Sequence, residues 1–577
     1  MKEWIDAAAG RRPADLVLKN GSFVNVFTGE IEQGDIAVCG GRIVGTGGGY
    51  HGKTELDITG KVVTPGLIDG HVHIESSQLC PEGFAALIVP RGTTTIIADP
   101  HEITNVCGKA GADYISKASE NIPLDVEVML PSCVPATPFE TSGAVLSGAD
   151  TAEYIQEPQF HGLGEMMNFV GVINADPEVL QKIEATHKAG KVVDGHAPGL
   201  SGMALNAYLA AGIATDHECT TPEEIAEKIG KGLYCHLRHG SSTRNLVTNA
   251  RMVSEKNLRR FLLCTDDRHA ADLKRKGHLD DALRQLVAAG IDPVWGVIMA
   301  TLNNAECYRL TGKGAIAPGY VADLVVFDDL CAFRAAWVFK DGVAVAKDGA
   351  PLFDTKKRYL PDTVLHTVHT APVTPDTFRL SLRGKKALCI EIVPDNVVTR
   401  GVVCEVESEN GDVMLSGTDL LKIAVVERHH ATGNVGLGLL RGYGFHGGAM
   451  GITIAHDSHN MILLGDDNAA MARAAEKLSE IGGGMVICHQ GECHAVPLEI
   501  GGLMSAGDPD ELERASAALI EEAYSLGVHR TYEAFMSLAF MSLAVIPDLK
   551  LTDKGLFDVN RFAFADINDD MDLAEDM

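Results

Sequence analysis

Between residues 66 and 310 short apolar, β-rich runs alternate with helical stretches, a rhythm that few folds accommodate. The runs include 94–98, 125–130, 192–194 and 262–264, and the helical stretches include 177–189, 222–230 and 279–289. Strand–helix alternation over a stretch of this length predicts a (β/α)8 TIM-like barrel. Catalytic groups on such a barrel sit at the C-terminal ends of the strands. That is where this chain concentrates its histidines and acids.

The first run closes on Asp69-Gly70-His71-Val72-His73. Side chains at i and i+2 of a strand point to one side. Two imidazoles converging in this way suit a divalent transition metal. An isolated His-x-His is unremarkable, but later runs repeat the pattern. Asp99, His101 and Glu102 follow one run, Glu165 another and His196 a third. Further on come Asp216, His217 and Glu218, then Arg238 and His239, then Asp266 and Asp267. Packing does not explain seven such ends in order, because buried charge is costly unless it is paired or metal-bound.

The flanks read differently. Residues 1–65 and 311–370 are short β-like runs punctuated by glycine, and predict the two halves of one discontinuous β-sandwich around the barrel of 66–310. Residues 371–577 predict an additional C-terminal α/β domain that ends in an acidic, solvated tail from residue 566. Within it, Ile452-Thr453-Ile454-Ala455 reads as a strand. Its continuation would put Asp457 and His459 on one face.

Charge narrows the partners. Lys and Arg total 49 against 78 Asp and Glu, a net charge of −29. A nucleic-acid backbone or an anionic membrane as partner is thereby disfavoured, though a small neutral base is not. The opening Met-Lys-Glu-Trp-Ile-Asp has no apolar run of the signal-peptide kind, and residues 534–547 are too short to span a bilayer. Thirteen scattered cysteines make no four-thiolate zinc pattern and are expected to be free thiols in a reducing cytoplasm. Gly47-Gly48-Gly49-Tyr50-His51-Gly52-Lys53-Thr54 matches a phosphate loop, but an alternating strand-like run follows where a helix is required. His73-Ile74-Glu75 lacks the Pro-Cys-x-x-Cys of the zinc nucleobase deaminases. Asp457-Ser458-His459 has no Gly-x-Ser-x-Gly elbow to go with it.

With these residues in view, the chain resembles the amidohydrolase superfamily, and more closely the bacterial adenine deaminases. The resemblance rests on Pro65-Gly66-Leu67-Ile68-Asp69-Gly70-His71-Val72-His73, Asp99-Pro100-His101-Glu102, Gly164-Glu165-Met166-Met167-Asn168 and Asp194-Gly195-His196. It continues through Thr215-Asp216-His217-Glu218, Cys264-Thr265-Asp266-Asp267 and Ala455-His456-Asp457-Ser458-His459-Asn460, and covers about residues 15–560. It implies two divalent metals, Mn or Fe first and Zn third, with His71, His73 and Asp266 on one and His196 and His217 on the other. Glu165 stands where many relatives carry a bridging carboxylated lysine. The implied reaction is hydrolytic deamination of adenine to hypoxanthine and ammonia by a metal-bridged hydroxide. Asp266 would shuttle the proton, with Glu165 and Glu218 as further catalytic candidates. Asp99, His101, Glu102, Arg238, Asp457 and His459 are candidates for binding the purine, and a cytoplasmic homodimer is expected. His239 departs from the glutamate of the family's Arg-Glu-Gly-Ser. A cyclic amidohydrolase of the dihydroorotase or hydantoinase type is the alternative activity. A non-catalytic scaffold that has kept the barrel is the alternative class.

Overall fold

Eight parallel strands follow one another along the chain. They are β1 (Leu67–Val72), β2 (Thr93–Ala98), β3 (Asp125–Leu130), β4 (Phe160–Met166), β5 (Val192–Gly195), β6 (Thr215–Asp216), β7 (Tyr234–Arg238) and β8 (Phe261–Cys264). The computed structural model describes residues 1–241, 244–394 and 398–568; most of the predicted acidic tail lies outside them. Between β5 and β6 the Ala214 N–H donates to the Val193 carbonyl at 3.0 Å. Beyond β8 the Asp266 N–H donates to the His71 carbonyl at 2.9 Å, and a parallel bridge pairs Val72 with Asp266. These contacts bring the end of β8 back to β1 and close the barrel.

The sequence dictates this arrangement locally. Thr93-Thr94-Thr95-Ile96-Ile97-Ala98 is buried throughout, as a strand covered on both faces must be. Ile68, Ile97, Met129, Val192 and Leu262 meet in the barrel core. Helix Pro177–Lys188 starts with proline in its first turn, and the Asp176 side chain accepts the Glu178 N–H. Helix Pro222–Gly230 repeats the device with Thr221 accepting from Glu224.

The flanking β-rich segments interleave. A seven-stranded sheet runs Ala350–Pro351, Val343–Lys347, Ala335–Lys340, Leu324–Phe327, Val62–Pro65, Ser22–Asn25 and Glu30–Gln33, so strands from before and after the barrel share it. A four-stranded sheet of Arg42–Gly47, Asp35–Cys39, Ala14–Lys19 and Gly52–Asp57 packs against it through Leu16, Leu18, Phe23, Val63, Leu324 and Phe339. The stretch matching a phosphate loop leads into strand Gly52–Asp57, not into a helix.

The chain divides into two compact units. Met1–Pro100, Ile115–Ser132 and Ser147–Tyr359 form the first, holding the barrel strands and the two sheets. His101–Tyr114, Cys133–Leu146 and Leu360–Met577 form the second. Its eight-stranded sheet is antiparallel except between Lys386–Ile392 and Val435–Arg441. Helix Asn468–Glu480 packs on that sheet through Met471, Ala474 and Leu478.

Two expectations are corrected here. Cys488 and Cys493 are not free thiols: they stand opposite each other across the hairpin Gly484–His489/Glu492–Pro497 and form a disulfide. The other eleven cysteines are free. The strand read over residues 452–455 does not continue either. Strand Gly448–Ile452 ends there, and the His459 N–H turns back to the Ala455 carbonyl at 2.7 Å. Asp457 and His459 therefore lie on and just after a turn, with no strand face to share.

Candidate active site

Six side chains converge at the C-terminal ends of the barrel strands, and their hydrogen bonds fix which atoms face inward. His71 Nδ1 lies 2.9 Å from the Asp194 carboxylate, and His73 Nδ1 lies 2.8 Å from the Asp99 carbonyl. An ionised carboxylate and a carbonyl have no hydrogen to give, so both Nδ1 atoms carry the proton and donate. Both Nε2 atoms then present lone pairs, and they stand 3.1 Å apart. Two lone pairs at that distance cannot hydrogen-bond to each other. The separation matches the ~3.0 Å between donors at right angles around an ion bound at ~2.1 Å.

The acids complete the arrangement. Asp266 Oδ1 is 3.1 Å from His73 Nε2 and 3.5 Å from His71 Nε2. Glu165 spans the site: Oε1 is 3.5 Å from His73 Nε2, while Oε2 is 2.9 Å from His196 Nδ1 and 3.2 Å from His217 Nε2. His71, His73 and Asp266 make one group able to hold an ion, and His71, Glu165 and His217 another. Imidazole and carboxylate donors of this kind suit Mn, Fe or Zn. The residues present thus fit a pair of divalent ions, with Glu165 placed between them.

Local sequence explains the placement. The Asp99 carboxylate accepts the Glu165 N–H at 2.8 Å, and Gly164 lets it approach, since a Cβ there would collide with that carboxylate. Asp99, a candidate for the substrate, is thus engaged in holding the β4 end. Asp216 accepts the backbone N–H of Glu218 at 2.9 Å and of Ala197 at 3.3 Å, tying the loop after His196 to the loop after β6. The fully buried Lys228 ammonium pairs with Asp216 and, at 2.5 Å, with Glu224.

Arg238 shapes the charge. One guanidinium nitrogen bonds Asp266 Oδ2 at 2.7 Å and also pairs with Glu218. Burial pushes the Asp266 carboxyl up, but the Arg238 guanidinium beside it outweighs burial and holds the group well below the usual carboxylate range. Glu165 is likewise held down, against burial, by His196 and His217. His236, on β7, goes the other way: burial first, with His217 and His71 adding to it, outweighs Asp194 and takes its pKa down to about 3. His239, the departure from the family pattern, faces Asp281 at 2.8 Å, and Arg268 bonds the same carboxylate at 2.6 Å.

The remaining candidates belong to the second unit. Glu102 Oε1 lies 2.9 Å from His456 Nδ1 and 3.5 Å from His101 Nε2, and Glu102 Oε2 pairs with His459. Asp457 sits on the same turn, buried. Sequence reasoning missed Asp194 and Tyr308, which are both buried, with the Tyr308 hydroxyl 3.1 Å from Asp194. The available signal was a carboxylate inside the otherwise apolar run Val192-Val193-Asp194.

Comparison with known proteins follows the same division of the chain. Residues 62–347 match the amidohydrolase family, and residues 396–563 match the adenine deaminase C-terminal domain. An adenine deaminase of Nitratidesulfovibrio vulgaris (strain DP4) is 47% identical, covering 98% of this chain and 99% of the relative. Adenine deaminase 2 of Carboxydothermus hydrogenoformans is 45% identical, again over 98% and 99%. An adenine deaminase of Clostridium acetobutylicum is 44% identical with the same coverage.

Proposed function

The chain belongs to the adenine deaminase family of amidohydrolases, and from that premise we propose that it hydrolyses adenine to hypoxanthine and ammonia at the barrel site. The observation that carries the reading is the pair of lone-pair-bearing nitrogens, His71 Nε2 and His73 Nε2, 3.1 Å apart beside Asp266 and Glu165. Such a set serves a metal-dependent hydrolase. A scaffold without chemistry would have no reason to keep it.

His71, His73 and Asp266 would hold one divalent ion and His196 and His217 the other, with Glu165 reaching both. Divalent ions bound there would supply Lewis acidity, which brings water toward ionisation at neutral pH and so provides the nucleophile that C6 of the purine requires. Asp266 would serve as the general base of the site. Its Oδ2 is anchored by Arg238, so Oδ1 stays on the His73 side, free to hold a proton. The same carboxyl then delivers the proton to the amine, which leaves as ammonia. Arg238 is engaged by two carboxylates, and its part is to orient Asp266 and Glu218. Glu218, half-buried beside His217, is the acceptor proposed for an N–H of the purine ring. Glu165 stands in place of a bridging lysine, which favours the deaminase over a cyclic amidohydrolase.

Further parts of the proposal are finer. Mn or Fe is the ion the family resemblance favours, and Zn also suits the His and carboxylate donor set. The partner is the purine base, and no nucleic acid or membrane is involved, in keeping with a net charge of −29. Among the described residues no helix is long and apolar enough to cross a membrane. A cytoplasmic setting fits eleven cysteines left as thiols. The functional state is a homodimer, and the domain division is 1–65, 66–310, 311–370 and 371–577.

The test measures ammonia release from a panel of purines and cyclic amides, with metal content determined on the same sample. About two ions per chain and turnover of adenine are expected, and His71→Ala should lose both metal and rate. Protein that carries two ions but leaves adenine untouched would overturn the activity, and activity without bound metal would overturn the mechanism.

A further inference from the structure

Asp194 is completely buried on β5 and is hydrogen-bonded to the barrel site through the His71 ring. Its Oδ2 receives the His71 Nδ1–H at 2.9 Å. Its Oδ1 receives two hydroxyls, from Thr215 and, at 3.1 Å, from Tyr308. The direction of the Thr215 bond is forced: the Gly195 N–H donates to Thr215 Oγ1 at 3.0 Å, which leaves the hydroxyl hydrogen for Asp194. The Tyr308 bond is forced as well: an ionised carboxylate only accepts, so the phenol hydrogen goes to Asp194.

Every hydrogen in this chain of bonds therefore runs toward Asp194. An imidazole facing such an acceptor has to carry its proton on Nδ1, and Nε2 is left bare. The second histidine of the pair, His73, is set by a backbone carbonyl that no side-chain substitution removes. His71 depends on a side chain. We propose that Asp194, braced by Thr215 and Tyr308, is a positioning residue that selects the metal-binding tautomer of His71. The proposal rests on the two-metal reading above.

Asparagine at this position makes a sharp probe. It keeps the shape of aspartate, but its two ends differ. Thr215 and Tyr308 are donors, so they hold the amide oxygen on their side and turn the amide NH2 toward His71. His71 Nδ1 then becomes the acceptor, and Nε2 carries a hydrogen where the ion should bind. Groups that orient a metal-bound histidine are worth about 10- to 100-fold in metal affinity.

The experiment loads wild-type protein and Asp194→Asn with Mn(II), passes both over a chelating resin, and counts the ions retained. Low-temperature electron paramagnetic resonance on the same samples tells a spin-coupled pair from an isolated Mn(II). Wild type is expected to keep about two ions with a coupled signal. Asp194→Asn is expected to keep about one, with an isolated six-line signal and little change in melting temperature. Equal retention and an equal coupled signal in both proteins would overturn the proposal and leave the two-metal reading standing. Wild type that retains no Mn(II) and shows no coupled pair would overturn both. If Asp194→Asn does not fold, Tyr308→Phe carries the test. It removes one brace while keeping the acceptor, so stripping by chelator should be a few-fold faster, and an unchanged stripping rate refutes the inference.

Discussion

Asp266→Asn isolates the proton-carrying role from everything else Asp266 does. The backbone at this residue has φ +58, in the left-handed region that asparagine and aspartate enter more readily than other side chains. Asparagine therefore preserves the turn after β8, where alanine would add strain. The Asp266 N–H to the His71 carbonyl, which helps close the barrel, is a backbone bond and survives. Arg238 loses one charged partner but keeps Glu218, so no buried guanidinium is orphaned. The folding cost is that of weakening one charge-assisted hydrogen bond, about 1.5–3 kcal/mol. An amide oxygen still ligates, but it does not accept a proton at neutral pH. Removing a general base costs about 10²–10⁴ in rate, or roughly 3–5 kcal/mol of barrier. The assay follows adenine consumption and ammonia release under saturating adenine, with metal content and melting temperature measured on the same protein. The expected result is a folded variant with most of its metal and kcat reduced at least ~100-fold. A variant with its metal in place and kcat within about tenfold of wild type would falsify the assignment and pass the role to Glu218.

Lys228→Met leaves Asp216 buried beside an apolar side chain, and breaking a buried ion pair of this kind costs about 3–5 kcal/mol. The wild-type Asp216 carboxyl is pushed up by burial but held below its usual range by Lys228. Its contribution is therefore present above the unfolded-state pKa and lost as pH falls through the folded one, so the deficit should be largest near neutrality and shrink in acid. Denaturant unfolding at several pH values checks this, and a deficit that grows on acidification refutes it. Asp457→Ala combined with His459→Ala tests whether these two residues take part in binding adenine. A loss of adenine affinity with unchanged metal content is expected, and unchanged kinetics would remove both residues from the binding set.

The barrel and the residues at its strand ends were legible because each signal is local. An apolar run ending on His or Asp specifies both a strand and the residue at its open end, so His71, His73, Glu165, His196, His217 and Asp266 could be placed without long-range information. What escaped depends on pairing across the chain. Asp194 and Tyr308 lie 114 residues apart, and nothing near either one announces the other. Arg238 read as a substrate contact because an arginine at a strand end is generic; only the fold shows it occupied by Asp266 and Glu218. The run at 452–455 misled for a related reason. Its β-branched residues fit a strand, but the backbone turns at residues 455–459, and apolar composition cannot register that turn. The disulfide was likewise hidden, since facing cysteines in a hairpin depend on where the turn falls.

Hydrogen bonds at the histidine rings also predict how many ions the chain binds. His and carboxylate ligand atoms lie close enough together to hold a metal at the barrel site and also at Glu102 with His456 and His459 in the second unit. Proximity does not separate them, but tautomers do. In the barrel, His71 and His73 each spend Nδ1–H on an oxygen that has no hydrogen, so their inward nitrogens are bare. In the second unit the Ala455 N–H donates to His459 Nδ1 at 3.1 Å. That nitrogen is an acceptor, so the proton of neutral His459 sits on Nε2 and is given to Glu102. Burial lowers the His459 pKa to about 4, which keeps the ring neutral near pH 7. An Nε2 that carries hydrogen is not a ligand. Burial pushes the Glu102 carboxyl up, but the histidines facing it, His456 first, outweigh burial and hold it well below the usual range. The chain should therefore bind two ions, both lost on substituting barrel histidines, and none that depends on His459. A third tightly held ion that survives His71→Ala and disappears with His459→Ala would show that the Ala455 bond gives way to metal, and that tautomer assignment from the backbone fails in this unit.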